Sequence, residues 1–206
     1  MKERGMLFNS AMVRALLDGC KTQTRRIAKV TPDQCEDIGI FYAEHSCPHG
    51  QPGDRIWVRE TFQPIFAEGR EHGADAPDWG TGEGYKVTYP ATDEVIEWID
   101  GDDNITSRCK PSTNMPRWAS RILLEIVSVR VEQLQDISKP DALAEGITPN
   151  CVRQFSLFGA SKEEREAMYR DAAVDPYRAL WESTNGPESW SANPWVWVIE
   201  FKRISK

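Results

Sequence analysis

A chain of 206 residues is long enough to bury a sizeable core in one decorated domain, and its 40% hydrophobic and 28% charged residues are ordinary for a globular protein. Its formal net charge of −7 argues against a protein that coats nucleic acid without specificity, because such binding depends on cations that replace counterions at phosphates. No apolar run approaches the length that crosses a bilayer, and the five cysteines accompany no secretion signal, so we expect a cytoplasmic protein with reduced thiols.

The first predicted elements are a short strand, a capped helix and an extended segment. Residues 6–8 have strand-forming character, and Asn9 or Ser10 can cap the helix that follows. Gly19 occupies the C′ position at which helices commonly end. Residues 21–27 are then predicted to be extended.

The middle of the chain is predicted to contain two strands of a core sheet with a long insertion between them. Residues 55–59 form a predicted strand with Ile and Val on one face. Between about 62 and 110 the composition turns to Gly, Asp and Glu, which indicates a long insertion with short strand-like pieces at 85–89 and 94–98. Residues 121–133 alternate as a long strand with one irregularity near its middle.

Helices and a closing strand are predicted for the last third of the chain. Ser138 is a helix cap and Gly146 ends that helix, while a helical elaboration covers about 155–185. Within it, one helix begins near Ser161, and another follows residues 175–176 with Tyr177, Leu180 and Trp181 on its apolar side. Residues 195–201 are rich in β-formers. Strands of mixed length with a few short helices predict the α+β class, built around a curved or closed sheet.

The densest cluster of polar groups is Lys21-Thr22-Gln23-Thr24-Arg25-Arg26, directly after the first helix. On a regular strand Thr22, Thr24 and Arg26 share one face, and Lys21 points away from it. Lys21 can therefore meet Thr24 only from a turn that precedes the strand, which the preceding glycine makes feasible. Residue types alone leave a second interpretation open, in which these are the outward polar residues of an ordinary strand.

Four ordered segments resemble those of ASCH-domain proteins, which belong to the PUA-like superfamily. The segments are residues 18–26, 53–58, 141–146 and 198–202. Longer ASCH proteins of phages and prophages also share segments like those at 52–55, 115–121 and 193–198. The resemblance implies that residues 1–206 form a single PUA-like β-barrel with short flanking helices, a long inserted loop region and a cleft beside the first helix. It further implies an association with RNA or modified nucleosides.

The resemblance also implies a possible activity. A small bacterial ASCH protein is an amidohydrolase that removes the acetyl group of N(4)-acetylcytidine with a Lys, a Thr and a Glu, which by motif are Lys21, Thr24 and Glu145 here. A threonine hydroxyl is a poor nucleophile until a base takes its proton, and a desolvated lysine can be that base. Glu145 can orient Lys21 or protonate the departing amine. A solvated glutamate at a helix end is the competing interpretation.

Other residues are candidates for contacting a nucleoside or RNA. Arg117 and Arg121 flank Trp118, and aromatic and guanidinium planes are what unpaired bases stack on. Core packing is the competing role for Trp118. Trp57 and Arg59 share a strand face that can belong to the pocket wall. The predicted binding residues are Thr22, Arg26, Trp57, Arg59, Arg117, Trp118 and Arg121.

Cys35, His45, Cys47 and His49 have the residue types of metal ligands, but their spacing fits no compact zinc pattern. We therefore expect neither a metal nor another cofactor. The alternatives to hydrolysis are a noncatalytic reader of RNA or of a modified base, a ribonuclease, and a phage accessory protein. The sequence leaves the oligomeric state open.

Overall fold

The fold is taken from a computed structural model, which describes residues 1–29, 46–66, 78–95, 97–99, 105–147 and 173–205. In chain order these residues form β1 (Glu3–Leu7), α1 (Ser10–Leu17), β2 (Gln23–Ile27), β3 (Arg55–Arg59), β4 (Gln63–Phe66), β5 (Tyr85–Thr88), β6 (Trp98–Ile99), β7 (Ile105–Thr106), β8 (Leu123–Gln133), α2 (Lys139–Ala144), α3 (Val174–Asn185) and β9 (Trp195–Ile204). Short 3₁₀ turns connect some of them.

Five of the strands form the central sheet, in the order β1-β3-β8-β9-β2. The β1 and β3 strands run parallel, and the other neighbours run antiparallel, so the sheet is mixed. Together with the few helices this confirms the predicted α+β class. The register of β8 against β9 shifts between Ile126 and Ser128, which confirms the predicted irregularity in the long strand.

The main core lies on one face of the central sheet, and every second residue of a strand points into it. Ile56 and Val58 of β3 are buried, whereas Trp57 and Arg59 between and after them are half-buried, as the period of two requires. Leu124 and Ile126 of β8 share the same core. The helix α1 adds its apolar side to this cluster and thereby covers one part of the sheet.

Local capping explains where the helices begin and end. The Asn9 side chain accepts a hydrogen bond from the Met12 amide at 2.9 Å at the start of α1. The Ser138 hydroxyl accepts from the Asp141 amide at 3.2 Å at the start of α2. Beyond α2, Gly146 has a φ of +88°, a conformation that favours glycine. These ends place residues 19–22 beside the end of α2.

The insertion contains strands that lie outside the central sheet. The strands β4 and β5 pair with each other, and β6 pairs with β7. The predicted piece at 85–89 corresponds to β5, and among the described residues of the piece at 94–98, Trp98 alone lies in a strand. The sequence does not predict β4, because Pro64 cannot donate a hydrogen bond to a neighbouring strand and so weakens the strand signal.

A second helical region packs on the other side of the long strands. Tyr177 and Trp181 of α3 are buried together with Val196 and Val198 of β9, which confirms the predicted apolar side of this helix. The helix predicted near Ser161 lies outside the described residues. Within those residues, no helix combines the length and apolar character needed to span a bilayer.

Candidate functional site

The centre of the site is a buried ion pair between Lys21 and Glu145. The Lys21 Nζ donates to Glu145 Oε2 at 2.7 Å and to the Glu145 backbone oxygen at 2.8 Å. The side chain of Lys21 is 0% exposed and that of Glu145 is 3% exposed. A charge removed from water to this extent requires such a partner.

Backbone contacts bring the two residues together. Lys21 and Glu145 form an isolated antiparallel bridge, and the Thr22 amide donates to the Ala144 oxygen at 2.8 Å. A side chain at Gly146 would place its Cβ 2.7 Å from Ala15 Cβ and 2.9 Å from Lys21 Cβ, so a glycine is needed for this approach. Lys21 therefore lies in the segment just before β2, which is the position that the sequence analysis requires for a contact with Thr24.

Arg25 is the second cation at Glu145, and sequence reasoning did not assign it a role. Its Nη1 donates to Glu145 Oε1 at 3.2 Å, and its side chain is 0% exposed. The same guanidinium bonds to Glu132 and lies 3.4 Å from the Asp141 carboxylate. Arg25 therefore binds the end of α2 to β8 and fixes one oxygen of Glu145 while Lys21 fixes the other.

A cavity of about 120 Å³ lies beside this cluster. Its described lining consists of Met12, residues 24–27 of β2, Glu145 and one face of α3 that includes Tyr177 and Trp181. Clefts that hold drug-sized ligands measure roughly 300–1,000 Å³, so this one suits a single small ring or an acyl group. Thr24 and Glu145 thus share a cavity wall, whereas Lys21 does not line it.

The surroundings shift the ionisation of two groups. Burial lowers the pKa of Lys21 below its ordinary value, and the opposing effect of the Glu145 charge does not cancel this. Burial, followed by the charge of Glu145, raises the pKa of Tyr177. A lysine with a lowered pKa gives up its proton more readily, which is the property that a general base needs.

Two other predicted binding residues have different positions relative to the cavity. Arg26 lines it, and its Nη2 donates to the Leu7 backbone oxygen at 2.6 Å. Thr22 is exposed and is not part of the described lining. Its backbone oxygen accepts from the Phe201 amide at 2.8 Å, so Thr22 joins β9 to the segment before β2.

Trp57 and Arg59 lie on β3 and make contacts away from the cavity lining. The Trp57 ring covers Gly5, where a Cβ would lie 2.6 Å from Trp57 Cζ2. The Arg59 guanidinium lies 5.4 Å from the Trp57 ring centroid and its Nε donates to the Ser112 oxygen at 3.1 Å. Both side chains thus hold β1 and the 112–114 turn against β3.

Residues 117–121, the Arg-Trp-Ala-Ser-Arg segment, are also not part of the described lining and have partners within the protein. Trp118 Nε1 donates to the Trp79 oxygen at 2.8 Å, and the Trp118 ring lies edge-on to Trp79 and is stacked on Tyr85. Arg121 donates two hydrogen bonds, at 2.9 and 3.0 Å, to the buried carboxylate of Glu60. These contacts attach the insertion to β3 and to the turn before β8.

Arg117, the first residue of that segment, has a different kind of partner. Its Nε donates to Glu3 Oε2 at 2.9 Å, and both side chains are about one-third exposed. Surface pairs of this kind contribute little to stability and leave the cation accessible to a polyanion. Arg117 is therefore the member of the segment that is best placed to meet an external phosphate.

The cysteine and histidine candidates are only partly described. Cys47 is buried in the main core, and burial raises the pKa of its thiol. Burial, then the charges of Arg26 and Arg4, lower the pKa of His49. Cys35 and His45 lie outside the described residues. Among the described residues no group of three or more His, Cys, Asp and Glu side chains could hold a metal.

The chain matches no protein-family model, no curated protein and no solved structure. The geometry of the cavity and its ion pair is therefore the basis for interpreting function.

Proposed function

We propose that the cavity binds a nucleobase or modified nucleoside, and that Thr24, Lys21 and Glu145 hydrolyse an N-acyl bond of an N(4)-acetylcytidine-like substrate. The observation that carries the proposal is that Glu145, bonded to buried Lys21 at 2.7 Å, lines the same cavity as Thr24. Two residues with the chemistry of acyl transfer, Thr24 and Glu145, thus share one small cavity, and Lys21 contacts Glu145 from behind the cavity wall. The central sheet is proposed to be the core of a PUA-like barrel.

The chemistry follows from the nature of the three groups. The Thr24 oxygen attacks the acyl carbon, and the Lys21–Glu145 pair takes the threonine proton. The carbon–nitrogen bond then breaks, the exocyclic amine leaves with that proton, and water hydrolyses the resulting threonine ester to a free carboxylate. Burial disfavours the charged form of Lys21, which raises the fraction of neutral amine that is able to act as a base near neutral pH.

The test is incubation of the purified protein with N(4)-acetylcytidine and chromatographic detection of cytidine. We expect Thr24→Val and Glu145→Gln each to reduce turnover by at least about 100-fold, the usual scale for loss of a nucleophile or of acid–base catalysis. Lys202→Met is the matched control, because Lys202 forms an ion pair with Glu125 at the surface. An inactive wild-type protein, or full activity in Thr24→Val, contradicts the hydrolase.

A noncatalytic reader of a modified base is the second candidate, and one observation favours it. Both Lys21 hydrogen bonds go to Glu145, and Arg25 donates to the other oxygen of that carboxylate, so the charged cluster is already satisfied. Such a cluster can shape a binding wall without taking part in chemistry. Titration of cytidine and of N(4)-acetylcytidine by calorimetry, with the recovered ligand then chromatographed, separates the two: the reader returns its ligand unchanged.

A further inference from the structure

Two hydroxyl groups of the cavity lining have no hydrogen-bond partner among the described residues. They belong to Thr24 and Tyr177, which are 2% and 3% exposed. The enclosed side-chain polar atoms that lack a partner are Arg26 Nε and Trp181 Nε1, so these two hydroxyls are not among them. A hydroxyl that is neither bonded nor enclosed retains accessible surface. Since both residues are buried and line the cavity, their hydroxyls open to the cavity.

Other polar groups of the described lining are committed to partners within the protein. Thr184 Oγ1 donates to the Leu180 oxygen at 3.0 Å, one turn earlier in α3. Arg25 gives its guanidinium to the surrounding carboxylates. Among the hydroxyls of the described lining, Thr24 and Tyr177 are therefore the two that can meet a ligand.

The surroundings of Tyr177 keep its hydroxyl protonated. Burial, followed by the negative charge of Glu145, raises the pKa of Tyr177. The Arg25 guanidinium carbon lies 5.9 Å from the ring centroid and acts in the opposite direction, but it does not cancel these effects. A phenol with a raised pKa stays neutral near neutral pH, so Tyr177 is a hydrogen-bond donor there and not a base.

Aromatic packing holds the ring of Tyr177 in place. Its centroid lies 6.3 Å from that of the Trp181 ring and 6.2 Å from that of the Trp190 ring. All three rings belong to the buried cluster between α3 and β9. A donor that is fixed by packing needs little reorganisation when negative charge develops opposite it.

The proposed reaction produces such a negative charge in the cavity. When the Thr24 oxygen bonds to the acyl carbon, the carbonyl electron pair moves onto the acyl oxygen, which becomes an oxyanion. As the carbonyl re-forms, the carbon–nitrogen bond breaks, its electron pair stays on the amine nitrogen, and that nitrogen takes the proton from the Lys21–Glu145 pair. Because Glu145 already places an anion in the wall, the oxyanion needs a nearby donor.

We infer that Tyr177 is a further catalytic residue, whose hydroxyl donates a hydrogen bond to the acyl oxygen as that oxygen becomes negative. The inference rests on the proposed function and gives α3 a part in the reaction. Tyr177 keeps its proton throughout, so its contribution is electrostatic. That contribution is made mainly in the transition state, where the charge on the oxygen is larger than in the substrate.

The experiment measures kcat and KM for N(4)-acetylcytidine with wild type, Tyr177→Phe and Tyr89→Phe. Tyr177→Phe keeps the ring and removes the hydroxyl. Tyr89→Phe is the matched control, because Tyr89 is a half-buried tyrosine outside the described lining whose hydroxyl donates to the Ala119 oxygen at 2.8 Å. Thermal unfolding is measured for all three proteins.

We expect Tyr177→Phe to lower kcat by about 100-fold, near the lower end of the scale for one oxyanion donor. KM should change by less than about threefold, because a donor that acts in the transition state contributes little to substrate binding. Tyr89→Phe should keep the wild-type kcat and KM. Tyr177→Phe should unfold at no lower temperature than wild type, whereas Tyr89→Phe loses a hydrogen bond and should unfold at a lower one.

The outcomes separate this inference from the proposed function. An active wild type with an unchanged kcat in Tyr177→Phe, whatever the change in KM, overturns the inference and leaves the hydrolase proposal in place. A Tyr177→Phe protein that unfolds at a lower temperature than Tyr89→Phe shows that the Tyr177 hydroxyl has a structural partner, and it also overturns the inference. An inactive wild type overturns both.

Discussion

Lys21 and Glu145 form a 2.7 Å ion pair across a separation of 124 residues, and neither side chain is more than 3% exposed. The pair joins the segment before β2 to the end of α2. It also sets one wall of the cavity, because Glu145 lines the space while Lys21 supports it. The stability of the fold and the geometry of the site therefore depend on the same two residues.

Removing the cation from this pair should be costly. Lys21→Met leaves the Glu145 carboxylate buried with Arg25 as its remaining cation, so we expect a loss of about 3 kcal/mol in the free energy of unfolding, near the lower end for a broken buried pair. Lys202→Met breaks the exposed pair with Glu125 and should change that free energy by less than about 1 kcal/mol. Urea denaturation of both proteins measures the difference. Similar losses of unfolding free energy in the two variants would contradict the conclusion that the Lys21–Glu145 pair is the more important for stability.

The glycine after α2 should tolerate no side chain. Gly146→Ala combines a positive φ with a Cβ 2.7 Å from Ala15 Cβ, so we expect destabilisation by about 2–4 kcal/mol from backbone strain and overpacking together. Gly19→Ala also has a positive φ but meets no atom within 4 Å, and should cost only about 1 kcal/mol. Denaturant unfolding compares the two, and binding of cytidine should weaken in Gly146→Ala alone. Equal behaviour of the two variants would show that close packing at Gly146 is unimportant.

Truncation of two arginines in one sequence segment should lower the stability by very different amounts. Arg121→Ala leaves the buried Glu60 carboxylate without the guanidinium that holds both of its oxygens, so we expect a loss of about 3–5 kcal/mol in unfolding free energy. Arg117→Ala removes an exposed contact to Glu3 and should cost less than about 1 kcal/mol. If the protein binds RNA through this segment, Arg117→Ala should lower the affinity and its salt dependence while the fold is retained. Thermal unfolding and a salt series of RNA binding measure the two effects.

Tyr89 should make the fold sensitive to strongly alkaline solution. Burial raises its pKa to about 12, with Arg121 opposing this, and its hydroxyl donates to the Ala119 oxygen at 2.8 Å. Because the folded-state pKa lies above the ordinary value of about 10, the folded state retains a proton that the unfolded state loses. The stabilisation from Tyr89 is therefore complete below about pH 10 and declines as the pH rises toward 12.

Spectrophotometric titration of tyrosinate tests this prediction. The wild-type protein should show a late-titrating phase that is reduced in Tyr89→Phe. Tyr177→Phe is a suitable comparison, because burial raises the pKa of that residue as well, so it should remove a different late component. Loss of an ordinary, early-titrating component in Tyr89→Phe would contradict the burial of its hydroxyl.

The local parts of the site could be predicted from the sequence because they depend on short-range signals. Gly19 ends α1, which places Lys21 in a turn, and Thr24 then falls in β2. Ser138 and Gly146 delimit the helix that presents Glu145. Caps and glycines act within a few residues, so their effect can be read from spacing alone.

The long-range parts could not be predicted in this way. Arg25 and Arg26 are adjacent and chemically identical, yet Arg25 forms ion pairs with three carboxylates, whereas Arg26 Nε has no hydrogen-bond partner among the described residues. The acidic partners of Arg25 lie more than 100 residues away in the sequence, and Glu132, for example, is 107 residues away. Local sequence patterns therefore do not indicate which of the two arginines will be paired. Trp181 was predicted as a core residue from its helical spacing, and spacing carries no information about whether an indole N–H finds an acceptor.

The order of strands in the central sheet has a consequence for how the protein folds. The strand β2, which carries Thr24, has β9 as its neighbour, so the chain must be synthesised to residue 200 before β2 can take its place. Loop closure over such distances is slow, and contacts of this kind form late. Until then the cationic segment around Lys21 is exposed without its carboxylate partners. A ligand of the proposed cavity would therefore bind only after β9 has joined the sheet, and the onset of binding would report that the chain has reached its native topology.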